Sequence, residues 1–122
     1  MKWLVKVIRK ERRALERARR RFVRKPTHKH LHDVRTTGRR LRSLLEDVCD
    51  ITPSRRLLRR VKRAAAVTDA ARDATIVRNL LESSADATEL ALAQPLLHEL
   101  RREERRATVC ARTRLARARF AG

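Results

Sequence analysis

Between His28 and Cys49, Leu31, Val34, Gly38, Leu41, Leu45 and Val48 recur at alternating steps of three and four. That spacing keeps side chains on one face of an α-helix and predicts a helix over this stretch. A first helix is predicted from about Lys2 to Arg24, with Leu4, Ile8, Leu15, Ala18 and Phe22 as its apolar seam and Glu11 interrupting it. Pro26 ends that helix, since proline cannot continue it and restricts Lys25 before it. Thr27 is placed to cap the second helix. A third helix is expected from about Pro53 to Glu82, with Thr52 as cap, Pro53 in the first turn, and Leu57 or Leu58, Val61, Ala65 and Thr68 inward. Its middle, AAAVTDAARDA, is small enough for a neighbouring helix to come close. ESSADATE reads as a loop, although ADATELALA has room for a short helical turn. A fourth helix is expected from near Pro95 to about Phe120, with Leu96 or Leu97, Leu100, Ala107, Ala111 and Leu115 inward. Short connections favour antiparallel neighbours. The expectation is one domain over residues 1–122, an all-α, antiparallel up-down bundle of about four long helices. Beyond Ile8 the first helix is polar nearly all round; such a helix frays, packs on a partner or lies on a polyanion.

Composition sharpens this picture in one respect. Of the 122 residues, 33 are Lys or Arg and 14 Asp or Glu, a net charge of +19. Self-repulsion on that scale opposes compaction unless counterions or a polyanion offset it. Nucleic acid, inorganic phosphate polymers and anionic membranes are the natural partners. Most of the cations are Arg, whose planar fork grips phosphate oxygens bidentately. With aromatics at 2%, Leu, Ala and Val must form the core. Cys49 and Cys110 are too few and too far apart for a disulfide framework or a zinc site. They are expected to be buried free thiols in a reducing compartment. The opening MKWLVKVIRKERR has too short an apolar run for a signal peptide, and no stretch approaches a membrane span. A soluble, cytoplasmic protein is expected.

The second helix carries another stripe. His28, His32, Arg35, Arg39 and Arg42 follow the same three-and-four rhythm, and Arg40 sits beside them. Cations at roughly 5 Å intervals along a helix can track a chain of phosphates. His28 and His32 lie near the helix N-terminus, where free backbone N–H groups also attract anions. The plainer alternative is a solvated basic face, but Glu46 and Asp47 arrive only at the end of the helix. Arg72, Arg59 and Lys62 on the third helix and Arg20 on the first are further candidates for the same anion. HKHLH suggests a metal, yet His30 points away from His28 and His32, and nothing at ligand spacing completes a set. No metal or cofactor is therefore expected. Arg72 and Asp73 read either as an ion pair inside the bundle or as Asp73 holding an Arg of the second helix in place for anions.

Enzyme signatures are absent. There is no glycine-rich phosphate loop, no acidic metal pair, and no context that activates Ser43, Ser54, Ser83 or Ser84. Zinc fingers and RNA-recognition signatures are missing too. Trp3, Phe22 and Phe120 are too few for base stacking, so nucleic acid remains an alternative only through its backbone. Trp3, Leu4, Val7 and Ile8 suit either an interfacial anchor or the start of the core or a dimer contact.

LHDVRTTGRRLRSLLEDV resembles the CHAD family, the conserved histidine α-helical domain. The family pattern is a His, an Arg three residues on, an RRLR box and a spaced Leu; His32, Arg35, Arg39, Arg40, Leu41, Arg42 and Leu45 fit it. In AAAVTDAARDATIV, Arg72 and Asp73 fit a second family motif, while Asp69 stands where Gly is usual and Thr75 where an acid is usual. RARF resembles the end of the fourth family helix. A typical family domain is two four-helix halves, and this chain looks like the first half. The resemblance implies non-catalytic binding of inorganic polyphosphate along a basic surface between halves, with association to polyphosphate granules. It also implies either a homodimer or a complementing second half. Generic nucleic-acid binding and a scaffold docking an acidic partner are the alternatives.

Overall fold

The computed structural model describes residues 2–48, 50 and 54–121. Helix α1 spans Lys2–Arg24, α2 His28–Val48, α3 Arg55–Ser84, α4 Ala87–Leu92 and α5 Gln94–Arg117. The four long helices match those expected. Thr27 caps α2 through its hydroxyl, which accepts from the His30 amide at 3.2 Å. The roles expected of Thr52 and Pro53, and the burial expected of Cys49, fall outside the described residues.

ESSADATE is not a loop. Helix α3 continues through Ser84, and α4 begins shortly after it, at Ala87. The Asp86 carboxylate accepts from the Glu89 amide at 2.8 Å and so satisfies one of the free donors of the first turn. That cap turns the expected helical turn into a discrete short helix.

Interhelical contacts set the topology. Arg35 of α2 pairs with Asp69 of α3. Arg78 and Arg101 join α3 to α5 through Glu104 and Glu82. Arg19 of α1 reaches the Leu115 carbonyl at 2.9 Å, and Arg112 of α5 the Val23 carbonyl at 2.7 Å. In the α3–α5 and α1–α5 pairings, positions rise along one helix as they fall along its neighbour. The order is α1–α2–α3–α5 and back to α1, a closed antiparallel up-down ring.

Inside it lies one contiguous core that includes Leu15, Phe22, Leu41, Leu45, Val61, Leu115 and Phe120. Of the pairs left open by periodicity, Leu57 is buried and Leu58 partly so, while Leu97 is buried and Leu96 points out. Ala64 and Ala71 are buried on α3, so the small-residue stretch does lie against the core.

Helix α1 packs despite its polar composition, because two of its charged residues are buried as a pair. Glu16 is 4% exposed and Arg19 6%. The Glu16 carboxylate accepts from Arg19 Nε at 2.9 Å and Nη2 at 2.6 Å, from Arg20 Nε at 2.8 Å, and from the Phe120 amide at 3.0 Å. Burial pushes this carboxyl up. The Arg19 hydrogen bonds, the Phe120 amide, the Arg19 charge and Arg20 outweigh that and bring it down to about 2. The cluster ties α1 to the segment following α5. Among the described residues no buried side-chain nitrogen or oxygen lacks a partner.

Gly38 sits inside α2, and a Cβ built on it would meet only Leu15 Cδ1 at 3.8 Å. That is ordinary van der Waals contact. Gly38→Ala is expected to stabilise the fold by about 0.5–1 kcal/mol, the helical cost of glycine. A thermal melt with an unchanged or lower midpoint would contradict this.

Candidate functional site

The basic stripe of α2 lies along the seam with α3. Two cavities open there. One, of about 270 Å³, is lined by Arg35, Arg39 and Arg42 of α2 and by Ala65, Thr68 and Asp69 of α3, with Leu15 and Val61 at its floor. The other, of about 470 Å³, is lined by His28, His32, Arg35 and Arg39 of α2 and by Arg72, Thr75, Arg78 and Asn79 of α3. Arg35 and Arg39 belong to both, so the cavities form one trough.

The stripe falls here because α2 must turn Leu31, Val34, Leu41 and Leu45 into the core. A row displaced by one residue from a core row lies at the edge of the buried face. On the facing wall of α3, Ala65, Thr68 and Thr75 are short, and this leaves the trough open.

Not every arginine in the trough is equally available. Arg35 is largely covered and pairs with Asp69. Arg42 donates to Glu46 at 2.9 Å. That bond, against some desolvation and with the charges of Arg42 and Lys62, lowers the Glu46 pKa. Arg78 donates to Glu104 at 2.5 Å and Glu82 at 2.7 Å. Arg39 of α2 and Arg72 of α3 both line the trough and carry no ion pair among the described residues. His28 and His32 stand at the end nearest the α2 N-terminus, where His32 Nε2 lies 3.4 Å from the Thr36 hydroxyl.

The trough therefore gathers His28, His32, Arg35, Arg39, Arg42 and Arg72. It does not gather Arg40, Arg59, Lys62 or Arg20. Arg40 and Arg59 are exposed away from its lining. Lys62 acts at the far end, on Glu46. Arg20 is held by Glu16. The carboxylate that holds an Arg of α2 is Asp69 rather than Asp73, which is exposed. Asn79 and Arg78 carry no sequence signal as site residues, although Arg72, Thr75 and Asn79 share one helical face at steps of three and four.

His30 does not turn toward His28 and His32. Its Nδ1 lies 2.7 Å from the Lys25 carbonyl, near the end of α1. Among the described residues no three His, Cys, Asp or Glu side chains come close enough together to hold a metal ion. No helix among them is long and apolar enough to cross a membrane. Cys110 is exposed, contrary to the expected burial, because it lies beside Ala111 on α5 and only Ala111 faces the core.

The CHAD domain family model matches residues 6–122. The chain belongs to the CHAD family. No curated protein and no solved structure matches it. CHAD domains in general bind polyphosphate and are binding rather than catalytic modules. The match takes in all of α2, α3 and α5, the helices that carry the trough and its wall. The CHAD-like box from His32 to Arg42 lies on the α2 side of the trough, with Arg40 turned out of it.

Proposed function

We propose that this chain binds inorganic polyphosphate, without cleaving it, along the trough between α2 and α3. The observation that carries the reading is that Arg39 and Arg72, without an ion pair among the described residues, line one trough with partly apolar walls. Guanidinium groups in such a cleft attract phosphate more strongly than the same groups on a convex surface. Arg35 and Arg42 extend the row in both directions; the exposed Arg42–Glu46 pair is weak enough to exchange for phosphate, and Arg35, though largely covered, is paired with a half-exposed Asp69. His28, His32 and the α2 N-terminus form one end. A cytoplasmic setting, with association to polyphosphate granules, belongs to the same reading.

The test is a paired titration near physiological salt, with long-chain polyphosphate in one arm and duplex DNA in the other. Tight polyphosphate binding with DNA far weaker supports the proposal. Equal binding at equal phosphate concentration would reduce it to generic polyanion attraction by a +19 chain. Release of orthophosphate from polyphosphate by the pure protein would overturn the non-catalytic part.

Asp69 offers a finer test. Among the described residues it is the one carboxylate lining the trough, and it competes with phosphate for Arg35. Asp69→Asn is expected to tighten polyphosphate binding about three- to fivefold, the size expected of one half-exposed charge. Weaker binding would mean that Asp69 positions Arg35 rather than competes for it.

A further inference from the structure

On another face of α3, a cavity of about 620 Å³ lies between α3 and α5. That volume falls inside the roughly 300–1,000 Å³ typical of small-molecule sites. Buried Ala64 and Leu115 and half-buried Val67 line it. Ala66 and Ala70 line it too, and both are exposed, so apolar surface is left open to water there.

This groove is polarised along its length. The helices run antiparallel, with Arg78 meeting Glu104 and Glu82 meeting Arg101. The beginning of α3 therefore lies beside the end of α5, and Arg60 Cζ sits 5.9 Å from the centroid of the Phe120 ring. That register gathers Arg60 and Arg63 of α3 with Arg114 and Arg117 of α5 toward one end. Toward the other end the lining is Ala70, Ala107 and Cys110, with no charged side chain. Among the described residues the four arginines carry no ion pair, and no acid lines the groove. The α3 side of the lining, from Arg60 to Ala70, is about 15 Å long at the helical rise of 1.5 Å per residue.

We propose that this groove binds a single-chain anionic amphiphile, free in solution, with its acyl or alkyl chain along the alanine-lined end and its carboxylate or phosphate head among Arg60, Arg63, Arg114 and Arg117. Each half of such a ligand answers one half of the groove. Burying the chain takes apolar surface of both partners out of water. Guanidinium forks grip a carboxylate or phosphate bidentately, and an anionic head relieves the mutual repulsion of four gathered cations. The cation–π contact with Phe120 holds Arg60 in position for this. A bilayer fits less well, because surface insertion relies on protruding apolar side chains. Here the exposed apolar side chains are alanines, too short to reach past the arginines. None of the four arginines lines the trough, so the inference stands apart from the polyphosphate reading.

The experiment is calorimetric titration of the full chain with octanoate, decanoate and dodecanoate, each below its micelle concentration and near physiological salt. Affinity is expected to rise about fourfold with each added methylene. Alkylation of Cys110, read on its own peptide, should slow in step with decanoate occupancy. Arg63→Glu with Arg114→Glu should weaken decanoate binding about tenfold or more. The same charge change on α2, Lys29→Glu with Arg40→Glu, should leave it within about twofold, since distant charges are screened. Ala66→Leu with Ala70→Leu should fill the groove and abolish the dependence on chain length. All the replaced side chains are exposed, so far-UV circular dichroism should stay that of the parent. Affinity that is flat across the series, or Cys110 alkylated at an unchanged rate with decanoate bound, overturns the proposal. So does an equal loss in the α2 control, or decyltrimethylammonium binding as tightly as decanoate. Binding to anionic vesicles without any response to monomeric decanoate would overturn it as well and assign the arginines to a membrane surface.

Discussion

Glu16→Ala is expected to lower the unfolding free energy by about 3–5 kcal/mol, the usual result of stranding one partner of a buried ion pair. Against a typical total of roughly 5–15 kcal/mol, such a loss brings a domain of this size close to unfolding. The side chain meets four donors at once: two groups of Arg19, the Arg20 Nε and the Phe120 amide. Removing it leaves the Arg19 guanidinium buried with only the Leu115 carbonyl as acceptor, and leaves the buried Phe120 amide without its carboxylate. Chemical denaturation reads the effect directly. A loss under about 1 kcal/mol would show that water reaches the site and that the pair is not desolvated.

The same carboxyl makes the fold sensitive to acid. Its pKa in the folded chain is about 2, below that of an ordinary glutamate. The stability it contributes is therefore fully present above the unfolded value, near 4.3, and is lost as pH falls from there through about 2. The full difference is on the order of 3 kcal/mol. Other acids titrate over the same range, so the readout is the difference between the parent and Glu16→Gln. That difference should be largest near neutrality and shrink below about pH 4. A difference independent of pH would remove the carboxylate from the account.

Arg39→Glu combined with Arg72→Glu is expected to weaken polyphosphate binding about 100-fold, at about 1.4 kcal/mol for each guanidinium–phosphate hydrogen bond removed. These two are chosen because nothing else in the described fold uses them; both are exposed and neither holds an acid. The variant should therefore melt as the parent does. The slope of log affinity against log salt should also fall by about 1.4, at about 0.7 for each phosphate neutralised on a single-stranded polyanion. Arg40→Glu with Arg59→Glu makes the same change in net charge away from the trough. If that control weakens binding equally, the polyphosphate is held by the overall field of the chain, and the trough has no special part in it.

Much of the candidate trough is readable in the sequence. The stripe His28, His32, Arg35, Arg39 and Arg42 was visible because α2 is one regular helix, and a residue's face on such a helix depends only on its number. Arg72 could be added as a candidate on the third helix. Arg40 was included because it neighbours Arg39, but one residue is about 100° of rotation, enough to turn it out of the trough. Arg59 and Lys62 were assigned to the correct helix, but their distance from the trough depends on how far α3 is shifted against α2. The same shift decides that Asp69, one turn before Asp73, meets Arg35. Cys110 was misplaced for a related reason: Ala111, its immediate neighbour, is the one that faces the core.

By itself the sequence determined the four long helices, the apolar stripe of each, the antiparallel order that short connections require, and the row of cations beside the α2 core stripe. These are local properties, written in spacings of three and four and in the capping residues around Pro26. The tertiary structure alone decided which charges are in use and which are free. It buried Glu16 and Arg19 in a helix that reads as polar nearly all round beyond Ile8, engaged Arg78 with two acids, and left Arg39 and Arg72 lining an open trough. The reason is that periodicity gives the direction of a side chain from its own helix axis. Whether that direction meets a carboxylate, a methyl group or solvent depends on the rotation and shift of the neighbouring helix, which is settled when the whole ring packs around Leu15, Phe22, Leu41, Leu45 and Phe120.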